Sequence, residues 1–334
     1  MYFIDIELTK DWFYVGVLTP DDEHLIFHKP SAKIKYILKH ETTVGFNSLQ
    51  FDMPLIAAWL DDASIDKLYN LANRLVSNEA KPWDYFDQDD YDHVDLKEPA
   101  PGVHVSLKLY MARMHAKRID DMFHDQSSTV DAEETYAYNL NDLIGTKMLY
   151  QAIKHEIDLR EHMGKEFGLD LRSRSGAQIA ERVLVKMANY GGGRPERPSY
   201  VRYKVPKGRV KFKTPELKEL KKHIESHKFV VNENGKAVLP EWLGKKHPVV
   251  IDGRKYVMGI GGLHAENKSE VYEGEVVEID CASMYPSLMI RNEFFPQHTG
   301  KRFLETYKRI YDERMAVKKR MAEIKKELEE LDDE

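Results

Sequence analysis

Cysteine is almost absent from this sequence, with one, Cys281, in 334 residues. A single thiol excludes a disulfide framework and a cysteine-built zinc site, and a reduced, cytoplasmic setting follows as the expectation. Long apolar runs are missing too. Nothing approaches the roughly 18 residues that a bilayer-spanning helix needs, so no membrane partner is expected. Met1 leads straight into Tyr2-Phe3-Ile4-Asp5, with no basic stretch or cleavage signal ahead of it. There is no internal repeat and no low-complexity segment. What remains is a composition of 42% hydrophobic and 32% charged residues, ordinary for a globular chain. Its length suits two domains, or one domain and part of another.

The net charge of −6 does not suggest a nucleic-acid binder, but its distribution does. Between Asp61 and Glu98 there are 11 acidic against 4 basic side chains, a balance of −7. Between Arg202 and Lys255 there are 15 basic against 6 acidic, a balance of +9. Such a stretch holds phosphates, or is a solvated face; charge alone leaves both open.

The chain opens with strand patterns. Tyr2 to Leu8 alternates apolar and acidic side chains, Trp12 to Leu18 reads as a second strand, and Pro20-Asp21-Asp22 as the turn after it. Val44 to Asn47 reads as a short strand end. A helix then opens at Asp52-Met53-Pro54, with Asp52 as its cap. Thr135 to His155 carries Leu140, Leu143, Ile144, Met148 and Ile153 at helical spacing. Strands followed by alternating helices and strands predict an α/β domain over residues 1–160. A linking region with the basic segment covers 161–256 and includes a helix over Ser173 to Asn189. The Gly274 break precedes an expected strand from Glu275 to Asp280. A charged helix runs from about Lys301 to Leu331, with Val317, Met321, Ile324, Leu328 and Leu331 forming a narrow coiled-coil-like stripe.

Asp5 and Glu7 stand two apart on a strand and share one face. Two adjacent carboxylates repel and lose hydration unless a cation sits between them, and hard oxygen ligands suit a divalent metal. Asn47-Ser48-Leu49-Gln50-Phe51-Asp52 places an acid at a helix start. Tyr138-Asn139-Leu140-Asn141-Asp142 places a tyrosine and an acid four apart on one helix face. In this order the three segments resemble the Exo I, Exo II and Exo III motifs of the DEDD 3′–5′ exonucleases, tyrosine subtype, over about residues 1–155. Leu8 departs from the family, which usually has threonine there. The resemblance implies an RNase H-like fold and two Mg²⁺ or Mn²⁺ ions held by Asp5, Glu7, Asp52 and Asp142. Phosphodiester hydrolysis needs a nucleophile and help for a leaving oxyanion, and two ions roughly 4 Å apart supply both. Tyr138 would then orient or deprotonate the attacking water, and Asn47 and Phe51 would touch the DNA. Asp95, in an acidic loop, is a weaker candidate for a supporting role.

Residues Ile279 to Ser287 read I-D-C-A-S-M-Y-P-S. The string resembles motif A of family B DNA polymerases, most closely the phage-type replicative enzymes. The resemblance implies that Asp280 binds both catalytic metals, with the Cys281 backbone among their ligands. Ser283 and Met284 would hold the triphosphate of a dNTP, and Tyr285 would lie under the sugar and exclude a 2′-hydroxyl. Gly259-Ile260-Gly261-Gly262 resembles the Y-x-G-G motif, with Gly259 in place of tyrosine; Gly261 and Gly262 would let backbone amides approach DNA phosphate. Arg314 and Lys318, four apart on the last helix, resemble the basic pair of the first fingers helix. The start of a palm is thus placed at 257–300 and the fingers helix at 301–334.

A palm needs a second carboxylate strand, and only 47 residues follow Ser287 (334 − 287 = 47). Neither motif B, K-x-x-x-N-S-x-Y-G, nor the D-T-D of motif C follows. Lys186 to Gly191 and Asp87-Gln88-Asp89 match them superficially but lie before motif A. The expectation is the N-terminal subunit or a truncated piece of a split polymerase, with synthesis on a primer–template requiring a second chain that carries motifs B and C. A stand-alone exonuclease trimming single-stranded 3′ ends and a non-catalytic DNA-binding or assembly subunit remain as alternatives.

Overall fold

A computed structural model gives the structure over residues 1–102, 105–120, 132–192, 196–203, 211–233, 235–259, 262–266, 273–275, 277, 279–280 and 283–332. The chain forms two compact units, Met1–Asn189 and Tyr190–Glu334.

The first unit begins with an antiparallel meander of β1 (Tyr2–Leu8), β2 (Phe13–Leu18) and β3 (His24–Phe27). Helix α1 (Ala32–His40), capped by the Ser31 side chain, leads to β4 (Thr43–Gly45). Helices α2 (Asp52–Leu60) and α3 (Ile65–Val76) precede β5 (His93–Asp95), and α4 (Leu107–Arg113) and α5 (Ala132–Ala152) follow it. The sheet is mixed, in the order β3-β2-β1-β4-β5, with β4 and β5 parallel to β1 and to each other respectively.

The period of two in β1 sorts its side chains between two cores. Ile4 and Ile6 join Phe13, Val15, Val17, Ile34, Met53 and Ile56 on one side of the sheet. Phe3 faces the other, with Leu18, Val44, Val94 and Leu143. Asp5 and Glu7 therefore point to the side on which α5 packs against β1 and β2.

The unit does not end near residue 160. Helices α6 (Lys154–Phe167) and α7 (Gly176–Met187) bury Leu171, Ile179 and Val183 against Met163 and Phe167. They are tied back to the sheet: Arg172 pairs with Asp92 at 2.6 Å, and the Asp95 amide donates to Ser173 Oγ at 2.9 Å. Asp52 is the first residue of α2 and not its cap. Phe51 holds the cap position, with no side-chain bond. Ile144, expected on the apolar face of α5, is 43% exposed.

In the second unit, β6 (Tyr200–Val201) pairs with β7 (Phe229–Val230), across α8 (Pro215–Ser226). Strands β8 (Val249–Ile251), β9 (Arg254–Gly259) and β10 (Gly262–Glu266) form an antiparallel sheet. Ile224, Phe229 and Leu243 make a small core, with Leu220, Trp242 and Met258 against it. Helices α9 (Met284–Arg291) and α10 (Lys301–Asp332) complete the unit. Among the described residues of the expected strand over 275–280, none is in a strand. Glu275, Val277, Ile279 and Asp280 have irregular backbone, while Val276 and Glu278 lie outside the described residues. An apolar run becomes a strand only where a neighbour takes its amides and carbonyls, and none of the described strands pairs with it. The mixed α/β class expected from the sequence is the class observed. Among the described residues, no helix is long and apolar enough to cross a membrane.

Candidate active site

Asp5 and Glu7 from β1, Asp52 from α2, and Tyr138 and Asp142 from α5 line one cleft of about 510 Å³. Asn47 and Phe51 line it as well, together with Lys97, Ser106 and Lys108. Residues four apart on a helix share a face, which puts Tyr138 and Asp142 together over the strand.

Close packing sets the distances. Asn139 reaches down to the sheet beside the acids, its Nδ2 donating to Asp5 Oδ2 at 2.8 Å and its Oδ1 bonded to His24 Nε2 at 3.0 Å. This is possible because β2 carries glycine at position 16, where a Cβ would overlap the Asn139 amide. Tyr14 Oη donates to the Thr135 carbonyl at 3.0 Å and ties the start of α5 to the same strand.

The acids share an unfavourable field. Burial, followed by repulsion from Glu7, Asp52 and Asp142, holds the Asp5 carboxyl well above the usual carboxylate range. Glu7 is raised in the same way, by burial and then by Asp142 and Asp52. Burial pushes Asp52 up to about 7, with the Asp95 charge as the next cause. Burial, and then the charges of Asp142, Glu7 and Asp5, push the Tyr138 phenol up as well. Lys108 stands against this group. Its Nζ donates to Tyr138 Oη at 2.8 Å and to the Asp120 carbonyl at 2.6 Å.

A hard divalent cation fits this donor set chemically, since clustered carboxylate oxygens at low dielectric are stabilised by positive charge between them. As the side chains stand, and among the described residues, no three His, Cys, Asp or Glu groups converge on a single ion position. The fit is thus one of donor chemistry and placement.

Lys97 and Lys108 line this cleft and Asn139 bonds Asp5 beside it, and none of the three is read from the sequence. A lysine inside the apolar string Leu107-Lys108-Leu109-Tyr110-Met111, and an asparagine beside Tyr138 on a helix that packs inward, were the available signals. A larger cavity, about 1120 Å³, is lined by Trp83, Asp84, Asp89, Arg174 and Arg182 and touches the acid-bearing loop only at Leu49 and Gln50.

In the second unit, the palm candidates are only partly assembled. Arg314 Nη1 donates to Ser283 Oγ at 3.0 Å, and Ser287 Oγ lies 3.2 Å from Tyr311 Oη, which holds α9 against α10. Ser283 adopts a left-handed conformation, φ 50°, at the head of α9. Asp280, Met284, Tyr285 and Lys318 are exposed. Gly262 starts β10 and pairs in register with Gly259 at the end of β9. Gly261 and Cys281 lie outside the described residues.

No protein-family model, curated protein or solved structure matches this chain.

Proposed function

We propose that the first unit is a metal-dependent 3′–5′ exonuclease of RNase H-like fold that acts on single-stranded DNA ends. The observation that carries this reading is the convergence of Asp5, Glu7, Asp52, Asp142 and Tyr138 in one cleft, from three separated segments. The sheet order β3-β2-β1-β4-β5, three antiparallel strands followed by two parallel ones, supports the fold.

The four carboxylates would hold Mg²⁺ or Mn²⁺, which supplies Lewis acidity for the nucleophile and the leaving oxyanion. The protein's own groups do the rest. Tyr138 keeps its proton, because burial and the surrounding acids disfavour a phenolate. A protonated phenol orients the attacking water by hydrogen bonding and does not deprotonate it. Lys108 fixes the Tyr138 hydroxyl and places positive charge where a phosphodiester enters. Lys97 donates to Asn47 Oδ1 at 2.6 Å, setting the asparagine on the wall that would meet the terminal nucleotide. The direct test is degradation of 3′-labelled and 5′-labelled single-stranded DNA with Mg²⁺ or Mn²⁺. Asp5→Ala and Asp142→Ala should each remove activity by orders of magnitude. Undiminished degradation in both variants overturns the assignment.

A second reading concerns the second unit, which we propose contributes Asp280, Ser283, Tyr285 and Arg314 to a polymerase site completed by a chain carrying motifs B and C. Exposed apolar groups favour it. Ile279 is 89% and Tyr285 70% exposed, and Val317, Met321, Ile324, Leu328 and Leu331 form an uncovered stripe along α10. Co-expression with such a chain should restore primer extension, and Asp280→Ala should remove extension while leaving degradation intact. Failure of the partner to bind or complement ends this reading.

A further inference from the structure

Strand β5 supplies no ligand to the proposed metals, yet two of its three side chains reach into the loop that delivers Asp52. His93 and Asp95 alternate on the strand and therefore share a face. The His93 ring is 1% exposed and bridges two hydroxyls, Thr43 Oγ1 at 2.8 Å from Nδ1 and Ser48 Oγ at 2.7 Å from Nε2. Asp95, also buried, accepts three backbone amides. Asn47 and Lys97 donate to Oδ1 at 2.8 and 3.0 Å, and Leu49 donates to Oδ2 at 3.0 Å.

Besides these bonds, Lys97 Nζ holds Asn47 Oδ1 at 2.6 Å and Leu49 is buried in the core on one side of the sheet. Asn47 sits in the left-handed region at φ 61°, a conformation that a non-glycine residue keeps only when its surroundings hold it there. Helix α2 has no side-chain cap, and its first turn hangs on the Ser48 carbonyl, which accepts the Met53 amide at 2.8 Å. Gly45 permits the fold-back, since a Cβ there would stand 2.5 Å from Ser48 Oγ. The mechanical path runs from β5 through Asp95 and His93 to residues 47–49, and from the Ser48 carbonyl to the turn that bears Asp52.

We propose that Asp95 and His93 are positioning residues of the exonuclease site, acting as a two-point clamp that fixes the Asp52 carboxylate for metal binding. The inference rests on the exonuclease reading and adds residues that act through the loop without touching metal or DNA. A purely structural role would change only how much protein is folded. A positioning role changes how tightly the folded protein binds metal.

The test uses the full chain and Mn²⁺ alone, titrated by calorimetry without DNA, beside the Mn²⁺ dependence of single-stranded DNA degradation. Asp95→Asn is a sparing change. Its oxygen still accepts the Asn47 and Lys97 amides, while its amide group faces the Leu49 N–H and cannot accept it. Mn²⁺ binding should weaken by about 10- to 100-fold, the range for outer groups that orient metal ligands, with KM for DNA unchanged. Ser48→Ala, which removes only the His93 bridge to the loop, should weaken Mn²⁺ binding by about tenfold. Wild-type Mn²⁺ affinity in folded Asp95→Asn overturns the proposal. If that variant does not fold, wild-type affinity in Ser48→Ala does so. A wild-type chain that neither binds Mn²⁺ nor degrades DNA overturns the exonuclease reading itself, a result distinct from failure of the clamp alone.

Discussion

Lys108 Nζ lies 2.8 Å from the hydroxyl of Tyr138 and 4.4 Å from the centroid of its ring, so one ammonium both donates to the phenol and sits against its face. The two residues come from α4 and α5, and their meeting gives the acid cleft a cationic wall. An ammonium cannot accept a proton from the phenol, so the hydroxyl hydrogen is directed elsewhere, toward an acceptor among the acids or an incoming water.

Removal of that hydroxyl should therefore cost rate through misplacement of water. Tyr138→Phe is expected to fold normally and to lose about 100-fold in turnover on single-stranded DNA, with substrate binding little changed. Lys108→Met should reduce turnover and also raise KM, because it removes a charge that attracts phosphate. Lys108→Arg should recover the binding part more fully than the turnover part. Steady-state kinetics on a labelled oligonucleotide separates the two effects.

Metal-free stability should fall as pH rises through neutrality. Asp52 takes up its proton near pH 7 in the folded chain against an ordinary value of 3.8, so between these values the folded state binds more protons than the unfolded state. Stability is then greatest below pH 3.8 for this group and declines as pH rises through about 7. The limit is about 1.4 kcal/mol per pH unit crossed, or about 4 kcal/mol for Asp52 as an upper bound. Denaturant unfolding in EDTA at pH 6 and pH 8 should show the loss, Mg²⁺ or Mn²⁺ should reverse it at pH 8, and Asp52→Asn should flatten it. An unchanged midpoint on adding metal at pH 8 would count against the shared repulsion of these acids.

Two pairings are legible in the sequence because each lies on one element, while Asp52 comes in only through the family resemblance. Asp5 and Glu7 fall on one face by the period of a strand, and Tyr138 and Asp142 by that of a helix. Lys108, Asn139 and His93 were not legible, since their roles arise from contacts between segments far apart in the chain. Asn139 reaches Asp5 only because Gly16 leaves room, and nothing local to residue 139 encodes that space. The error at 275–280 has the opposite origin. The apolar run there meets the local requirement for a strand, but pairing is a property of the neighbour. The pattern of strands and helices does not show that the helices beyond residue 160 join the first unit, because the core of Leu171, Ile179 and Val183 that binds them forms only in the folded chain.

Acid should destabilise the chain through His93. Burial, and then the Arg172 charge, lower its pKa from 6.5 to about 3, so the folded ring stays neutral where the unfolded ring gains a proton. Between these values the unfolded state binds the extra proton, and stability is lost as pH falls below 6.5. By pH 5 the loss is about 2 kcal/mol, opposite in sign to that of Asp52 in the same range. His93→Gln should be less stable than the wild type at pH 7, where it disturbs the Thr43 and Ser48 bonds, and the gap between the two should narrow on going to pH 5. Parallel unfolding midpoints at the two pH values would show that the ring is accessible to protons in the native state.

Gly16→Ala tests whether the acid cleft depends on the close approach of α5 to the sheet. The glycine lies on β2 opposite Asp5, and its ordinary strand conformation gives no backbone reason for the absence of a side chain. The reason is contact: a methyl group there would occupy the space of the Asn139 amide. Either Asn139 swings away, releasing Asp5 Oδ2 and His24, or α5 moves off the sheet and carries Tyr138 and Asp142 with it. Overpacking of this kind costs about 1–3 kcal/mol, and a shift of α5 by a fraction of an ångström would also separate acids on two different elements. The variant should unfold at lower denaturant and degrade DNA more slowly than its folded fraction explains. Asn139→Ala in the same background relieves the overlap, so the double variant should regain stability relative to Gly16→Ala alone while remaining slow. Recovery of both would place the role of Asn139 in packing, and recovery of stability alone would place it in holding Asp5.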